Sequence, residues 1–249
     1  MIPLRDANPT RRPPVVTLTL IGLCAVAFAW ELGVLATGGE RGLETFFRQH
    51  GVVPAELMAA VGAGELVGPP TLGVLTSLFL HGGWLHLLGN MLYLGIFGNN
   101  IEDRLGRLGF LGFYLVGGIA AAGAQVATDP GSTVPMVGAS GAIAAVLGGY
   151  LVLFPRARIL SLVFLVFFYQ LIEVPALLVL GFWFLLQVID GVTSLGATSA
   201  DGGIAFFAHI GGFVAGALLI MIFRDPALVA KHRALAGTID HGLGYRERY

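Results

Sequence analysis

Charge is scarce in this chain. Only 12% of its 249 residues are Asp, Glu, Lys or Arg, against about 25% in a typical soluble domain. With 56% hydrophobic residues and a mean hydropathy of +0.82, this excludes a soluble fold and points to a multi-span membrane protein. Cysteine is almost absent. Cys24 stands alone, so an intramolecular disulfide and a cysteine metal cage are both excluded. There is no basic cluster with interleaved aromatics, and the net charge is -1, so nucleic acid is not an expected partner. The HExxH pattern of zinc proteases is missing, as is the GxSxG elbow of soluble hydrolases. The apolar runs hold no paired aspartates, since Asp190 sits at an end. Glycine, by contrast, is abundant at 37 residues, which suits close helix packing in lipid.

Six apolar stretches predict an all-α membrane protein, a bundle of six transmembrane helices. They are Pro13–Thr37, His81–Ile101, Leu108–Thr128, Val134–Pro155, a long stretch Ile159–Ile189, and Ile204–Phe223. Each can supply the roughly 20 residues that cross a bilayer. Glu173-Val174-Pro175 interrupts the fifth, because proline disfavours helix just before it. Residues 159–172 are therefore expected to be interfacial or partly inserted, with the span at about Val174–Asp190. Residues 1–12 form a cytoplasmic N-terminal segment, 13–223 the membrane domain and 224–249 a cytoplasmic tail. The long loop 38–72, with apolar patches at Phe46-Phe47 and Leu57-Met58, is expected outside, against the interface.

The basic residues set the orientation. Six spans put Arg5, Arg11, Arg12, Arg104, Arg107, Arg156, Arg158, Arg224, Lys231, Arg233, Arg246 and Arg248 on one side, with only Arg41 and Arg48 on the other. By the positive-inside rule both termini face the cytoplasm, as expected of a bacterial inner-membrane protein. A cleaved signal peptide ending near Ala27-Phe28-Ala29 is disfavoured, because the apolar run continues past that point.

That orientation fixes depth. Spans two, four and six all run inwards from the outer side. His86 and His209 lie about five residues in and Ser140 about three, so at ~1.5 Å per residue all three fall roughly 5–8 Å below the outer helix ends. Asn90 lies one turn below His86 on the same face. His209, Gly212 and Gly216 share a face, and Ser140, Ala144 and Gly148 form a similar smooth stripe, so Gly212 is expected to abut span four around Ala144. Small-residue faces allow close helix approach, which brings a serine hydroxyl within hydrogen-bond reach of an imidazole. A lone intramembrane serine usually bonds back to its own helix. An intramembrane histidine is rarer and costlier. Their coincidence in depth and face favours chemistry over packing. His81, at a helix end, reads as a structural group.

Gly138-Ala139-Ser140-Gly141, Ala208-His209 with Gly212 and Gly216, the HGGWLHLLGN run over His81–Asn90, and Glu102-Asp103-Arg104-Leu105-Gly106 together resemble the rhomboid family of intramembrane serine proteases. The resemblance covers about residues 71–223. It implies Ser140 as nucleophile and His209 as base, in a dyad without an acidic third member, with His86 and Asn90 lining the oxyanion hole. It implies a structural role for Glu102 at the inner end of span two. No cofactor or metal is implied, and the partners are membrane lipid and single-span or other transmembrane protein substrates. Span five is implied to flank the substrate's lateral access. Two positions depart from the family pattern. Ala144 replaces an aromatic that stacks on the histidine in some members, and no Trp-Arg pair occurs near Thr71–Ser77. The rival reading is a catalytically silent rhomboid-like protein for client binding or quality control; such proteins lack one of the dyad residues. A transporter fits less well, because no paired broken helices mark two halves.

Overall fold

A computed structural model of the chain describes residues 1–165, 168–195 and 204–223. Its elements are β1 (Ile2–Asp6), α1 (Val15–His50), α2 (Pro54–Gly62), α3 (Pro69–Thr76), α4 (Trp84–Tyr93), α5 (Asn99–Thr128), α6 (Ser140–Leu153), β2 (Arg158–Leu165), β3 (Phe168–Pro175), α7 (Ala176–Ser194) and α8 (Phe206–Phe223). A π-helical turn, Leu94–Gly98, joins α4 to α5. The expected tail 224–249 lies outside the described residues.

The helical membrane bundle is as expected. Among the described residues four helices are long and apolar enough to cross a bilayer: Val15–His50, Trp84–Thr128, Ala176–Ser194 and Phe206–Phe223. The second is two rods in one. Gly106 adopts φ 72° inside it, a left-handed conformation that only glycine takes without strain, and the chain turns there. Ser140–Leu153 is a shorter apolar helix.

α6 is the centre of the bundle. Every residue from Gly141 to Tyr150 is buried. A helix apolar on all sides belongs in an interior, and α6 packs against both α5 and α8. Its small residues set the spacing. A Cβ on Gly148 would strike the Phe213 carbonyl, one on Gly216 the Ala145 carbonyl, and one on Gly212 the Gly141 carbonyl. Gly212 therefore abuts Gly141, one turn nearer the serine than the Ala144 contact that the stripe pattern suggests.

At one end of the bundle, buried polar groups tie the elements together. The Glu102 carboxylate accepts from the backbone N–H groups of Val16 (2.9 Å) and Thr17 (2.8 Å) and from the Thr17 hydroxyl (2.8 Å). The two backbone N–H groups are orphan donors of the first turn of α1, and a carboxylate there also meets the positive end of the helix dipole. This gives the structural role expected of Glu102 its physical content. Asp6 accepts from Asn100 Nδ2 (2.6 Å) and the Tyr150 hydroxyl (2.9 Å). Burial pushes the Asp6 carboxyl up to about 6, against the opposing effect of these bonds.

The same end carries a three-stranded antiparallel sheet, in the order β1-β2-β3. Ile2 pairs with Leu162 and Asp6 with Ile159, while β2 and β3 pair from Arg158↔Pro175 to Leu165↔Phe168. The segment expected to be interfacial is thus extended strand. Pro175 marks a strand-to-helix boundary: it cannot donate to a ladder, and it precedes the first residue of α7.

At the opposite end, Val52 and Met136 exchange two backbone hydrogen bonds, of 3.0 and 2.8 Å. Arg48 donates to the Thr133 carbonyl (2.9 Å) and pairs with Glu56 (3.3 Å). The Gly138 N–H donates to the Ser77 carbonyl (2.9 Å). The loop 38–72 is therefore largely helical (the end of α1, α2 and the start of α3), and it clamps the strand-like lead-in to α6.

Candidate active site

Ser140 is the first residue of α6, not three residues into a helix. Residues 134–139 approach it without helical structure. Gly138 makes this approach possible with φ 132°, and a Cβ there would press on the His86 ring. Because Ser140 opens α6, the backbone N–H groups of its first turn have no helical partners.

His209 sits on the first turn of α8. Its Nε2 lies 2.8 Å from Ser140 Oγ. Its Nδ1 lies 2.7 Å from Gln187 Oε1 on α7. An amide oxygen only accepts, so Nδ1 carries the proton and donates to Gln187. Nε2 is then the free lone pair, and the Ser140 hydroxyl donates to it. The Trp183 ring, one turn before Gln187, lies 5.9 Å from the His209 ring at 40°. Trp183 also meets Phe213, and Phe184 stacks on Phe213 at 4.5 Å. The side support that Ala144 does not give comes instead from α7. Gln125 on α5 accepts from the Ala208 N–H at 3.2 Å and so steadies the start of α8.

His86 and Asn90 occupy one face of α4. The Gly82 N–H donates to His86 Nδ1 at 3.3 Å, which leaves Nε2 as the protonated nitrogen. That nitrogen borders Gly138, beside the serine. Asn90 is buried, and its Nδ2 has no hydrogen-bond partner among the described residues. An orphaned buried donor is costly, and such a group is fit to meet a charge that appears only during reaction. His81 is 1% exposed; its backbone N–H donates to Glu31 Oε1 at 3.0 Å, and its ring meets the edge of His86 at 5.2 Å. It packs behind His86, in the short segment ahead of α4.

Two contributors escape sequence reasoning. Gln187 carries no charge and hides in an apolar run; its signal is an amide one turn after Trp183. Glu31 is visible as the only acid in the first apolar stretch, but nothing in the sequence names His81 as its partner.

Fold and site together define an integral membrane protein with a hydrogen-bonded serine and histidine inside its helical bundle. The chain belongs to the rhomboid family: the Rhomboid domain model matches residues 70–226. It is 30% identical over 151 residues to Rhomboid protein 1, mitochondrial, of Saccharomyces cerevisiae, covering 59% of this chain and 40% of that protein. It is 33% identical over 78 residues to RHOMBOID-like protein 5 of Arabidopsis thaliana, covering 31% of this chain and 25% of that protein. The chain thus spans well under half the length of these relatives.

Proposed function

We propose that this protein is an intramembrane serine protease that cuts transmembrane segments of other membrane proteins with Ser140 and His209. The observation that carries the reading is the 2.8 Å contact between Ser140 Oγ and His209 Nε2, with the imidazole proton held on the far nitrogen. His209 takes the hydroxyl proton as Ser140 attacks a scissile carbonyl, then gives it to the leaving amine. The tetrahedral oxyanion is met by the free N–H groups at the start of α6, by His86 Nε2–H and by Asn90 Nδ2–H. Water then releases the acyl group by the reverse use of the same base. A substrate helix hides its carbonyls in its own hydrogen bonds, so segments containing glycine or other poor helix formers are the preferred targets. No step requires a cofactor.

The topology proposed with this activity has six crossings: α1, the two rods on either side of Gly106, α6, α7 and α8, with both termini cytoplasmic. Pairing of β1 with β2 brings Arg5 and Arg158 to one end, and Arg48 lies at the serine end, in keeping with the charge asymmetry. The two relatives are a mitochondrial and a plant protein and lend nothing to a bacterial inner membrane, so the proposal keeps only the orientation. A silent client-binding role is less well supported, because both dyad residues are present and paired.

The test is cleavage of a panel of single-span substrates by the purified protein in liposomes. Wild type should cut at least one substrate and Ser140→Ala none. Equal cleavage by both, or none by wild type across the panel, would overturn the reading.

A further inference from the structure

We infer that Gln187 is a positioning residue for the base: its amide oxygen selects the imidazole tautomer in which His209 can accept the serine proton. The inference rests on the proteolytic reading of Ser140 and His209. A neutral imidazole carries one proton, on either nitrogen, and only the form with Nε2 bare can act on Ser140. Nothing acidic orients His209 among the described residues. The group 2.7 Å from Nδ1 is the Gln187 carbonyl oxygen. It fixes the proton on Nδ1 in the way a carboxylate does in serine proteases with a third member. A neutral amide does so without placing a charge at membrane depth, where charge is costly.

The support is built rather than incidental. Trp183 and Gln187 are four residues apart, so they share one face of α7. Trp183 flanks the imidazole while Gln187 caps its far nitrogen. Beside Trp183, Phe184 stacks on Phe213, and one turn beyond Gln187, Gly191 faces the side chains of Ile210 and Phe206. Ala176, Val179 and Leu180 anchor the start of α7 in the core, while its other face is turned outward: Leu177, Leu178, Phe182, Leu185, Ile189 and Val192 are all exposed. One face of a lipid-facing helix therefore sets the orientation of a base that sits on another helix. It follows that α7 must be seated on α8 for the serine to be activated.

The experiment compares Gln187→Met and Gln187→Glu with wild type and Ser140→Ala, in liposomes. Methionine keeps length and bulk but cannot accept the Nδ1 proton. Glutamate restores an oxygen acceptor whether or not it is ionised. Gln187→Met should lower kcat about 100-fold, as misorientation of a catalytic group does, with KM within about threefold, because the substrate is not touched. Its covalent labelling at Ser140 by a fluorophosphonate should slow in parallel. Gln187→Glu should recover at least tenfold of the lost kcat. If Gln187→Met keeps kcat within twofold, or if Gln187→Glu is no better than Gln187→Met, the positioning role is wrong while the proteolytic reading stands. If wild type neither cleaves nor labels at Ser140, the proteolytic reading fails and the inference falls with it.

Discussion

Gly212→Ala adds a single carbon to the contact that holds His209 against Ser140. The new Cβ would point at the Gly141 carbonyl oxygen and crowd the Ala121 side chain at 3.2 Å. The carbonyl belongs to a rigid helix and cannot swing aside, so α6 and α8 must separate by roughly an ångström in a close-packed interior. Overpacking of this kind typically costs ~1–3 kcal/mol, which a bundle with this much buried surface survives. Catalysis is far less tolerant. Gly141 follows Ser140 directly, and Gly212 lies one turn beyond His209, so the separation falls on the 2.8 Å bond itself. A misplacement of about 1 Å costs on the order of 100-fold in rate. The expected variant is folded, inserted in the membrane and roughly 100-fold slower in both substrate cleavage and fluorophosphonate labelling of Ser140. Gly123→Ala is the control. Nothing lies within 4 Å of its added carbon, and replacing a helical glycine should leave stability unchanged or raise it by ~0.4–1 kcal/mol. A Gly212→Ala protein that cleaves within threefold of wild type would refute the argument that this glycine sets the Ser140–His209 distance.

Asn90→Ala should lower kcat by about 100-fold or more with KM nearly unchanged, because an oxyanion donor acts in the transition state; a rise in KM at constant kcat would remove Asn90 from that role. Glu102→Ala strips three hydrogen bonds from the start of α1, and loss of a helix cap costs ~1–2 kcal/mol; thermal unfolding in detergent should show a lowered Tm, and an unchanged Tm would mean water replaces the carboxylate at no cost. The Asp6 carboxyl, raised from 3.8 to about 6 by burial, contributes stability that is full below the lower value and lost as pH rises through the upper one. The N-terminal strand should therefore be cut faster by added protease at pH 7.5 than at pH 5, relative to Asp6→Asn at each pH; a constant ratio would contradict the shift. A reporter fused after Tyr249 should be active only if it is a cytoplasmic type, and activity of an exported type would overturn the six-crossing topology.

The site was legible because its residues are conspicuous. Ser140, His86, Asn90 and His209 are polar groups in greasy runs, and helix geometry alone brings them to similar heights. They stand at the first, third, seventh and fourth positions of their helices. Ser140 opens its helix rather than standing about three residues into it, because the apolar lead-in Val134–Ala139 looks like helix by composition but is not. The sheet was not legible for a related reason. Ile159–Ile172 is an uncharged, largely apolar run, and such runs read as strand or helix alike. What decides it is a partner more than 150 residues away in sequence, Ile2–Asp6, and no local pattern encodes that. Gln187 was missed because a search guided by charge passes over an amide. The glycine stripe of α8 gave the right faces but the wrong neighbour for Gly212, since stripe matching fixes a face and not a register along it.

The short central helix has a bearing on which sequence changes the chain can accept. α6 has 14 residues, about 21 Å at 1.5 Å per residue, against a hydrocarbon core of about 30 Å. Its far end is pinned: Gly148 meshes with the Phe213 backbone, and Tyr150 is bonded to Asp6. Ser140 is thus measured off from a fixed point ten positions away. One inserted residue between them would rotate the serine by 100° off the His209 face. Four inserted residues would restore the face but lift the serine by ~6 Å, past the imidazole. Between Ser140 and Tyr150 no change of length is neutral. The exposed 129–131 turn, upstream of the clamped lead-in to α6, is where length can drift without cost to the chemistry.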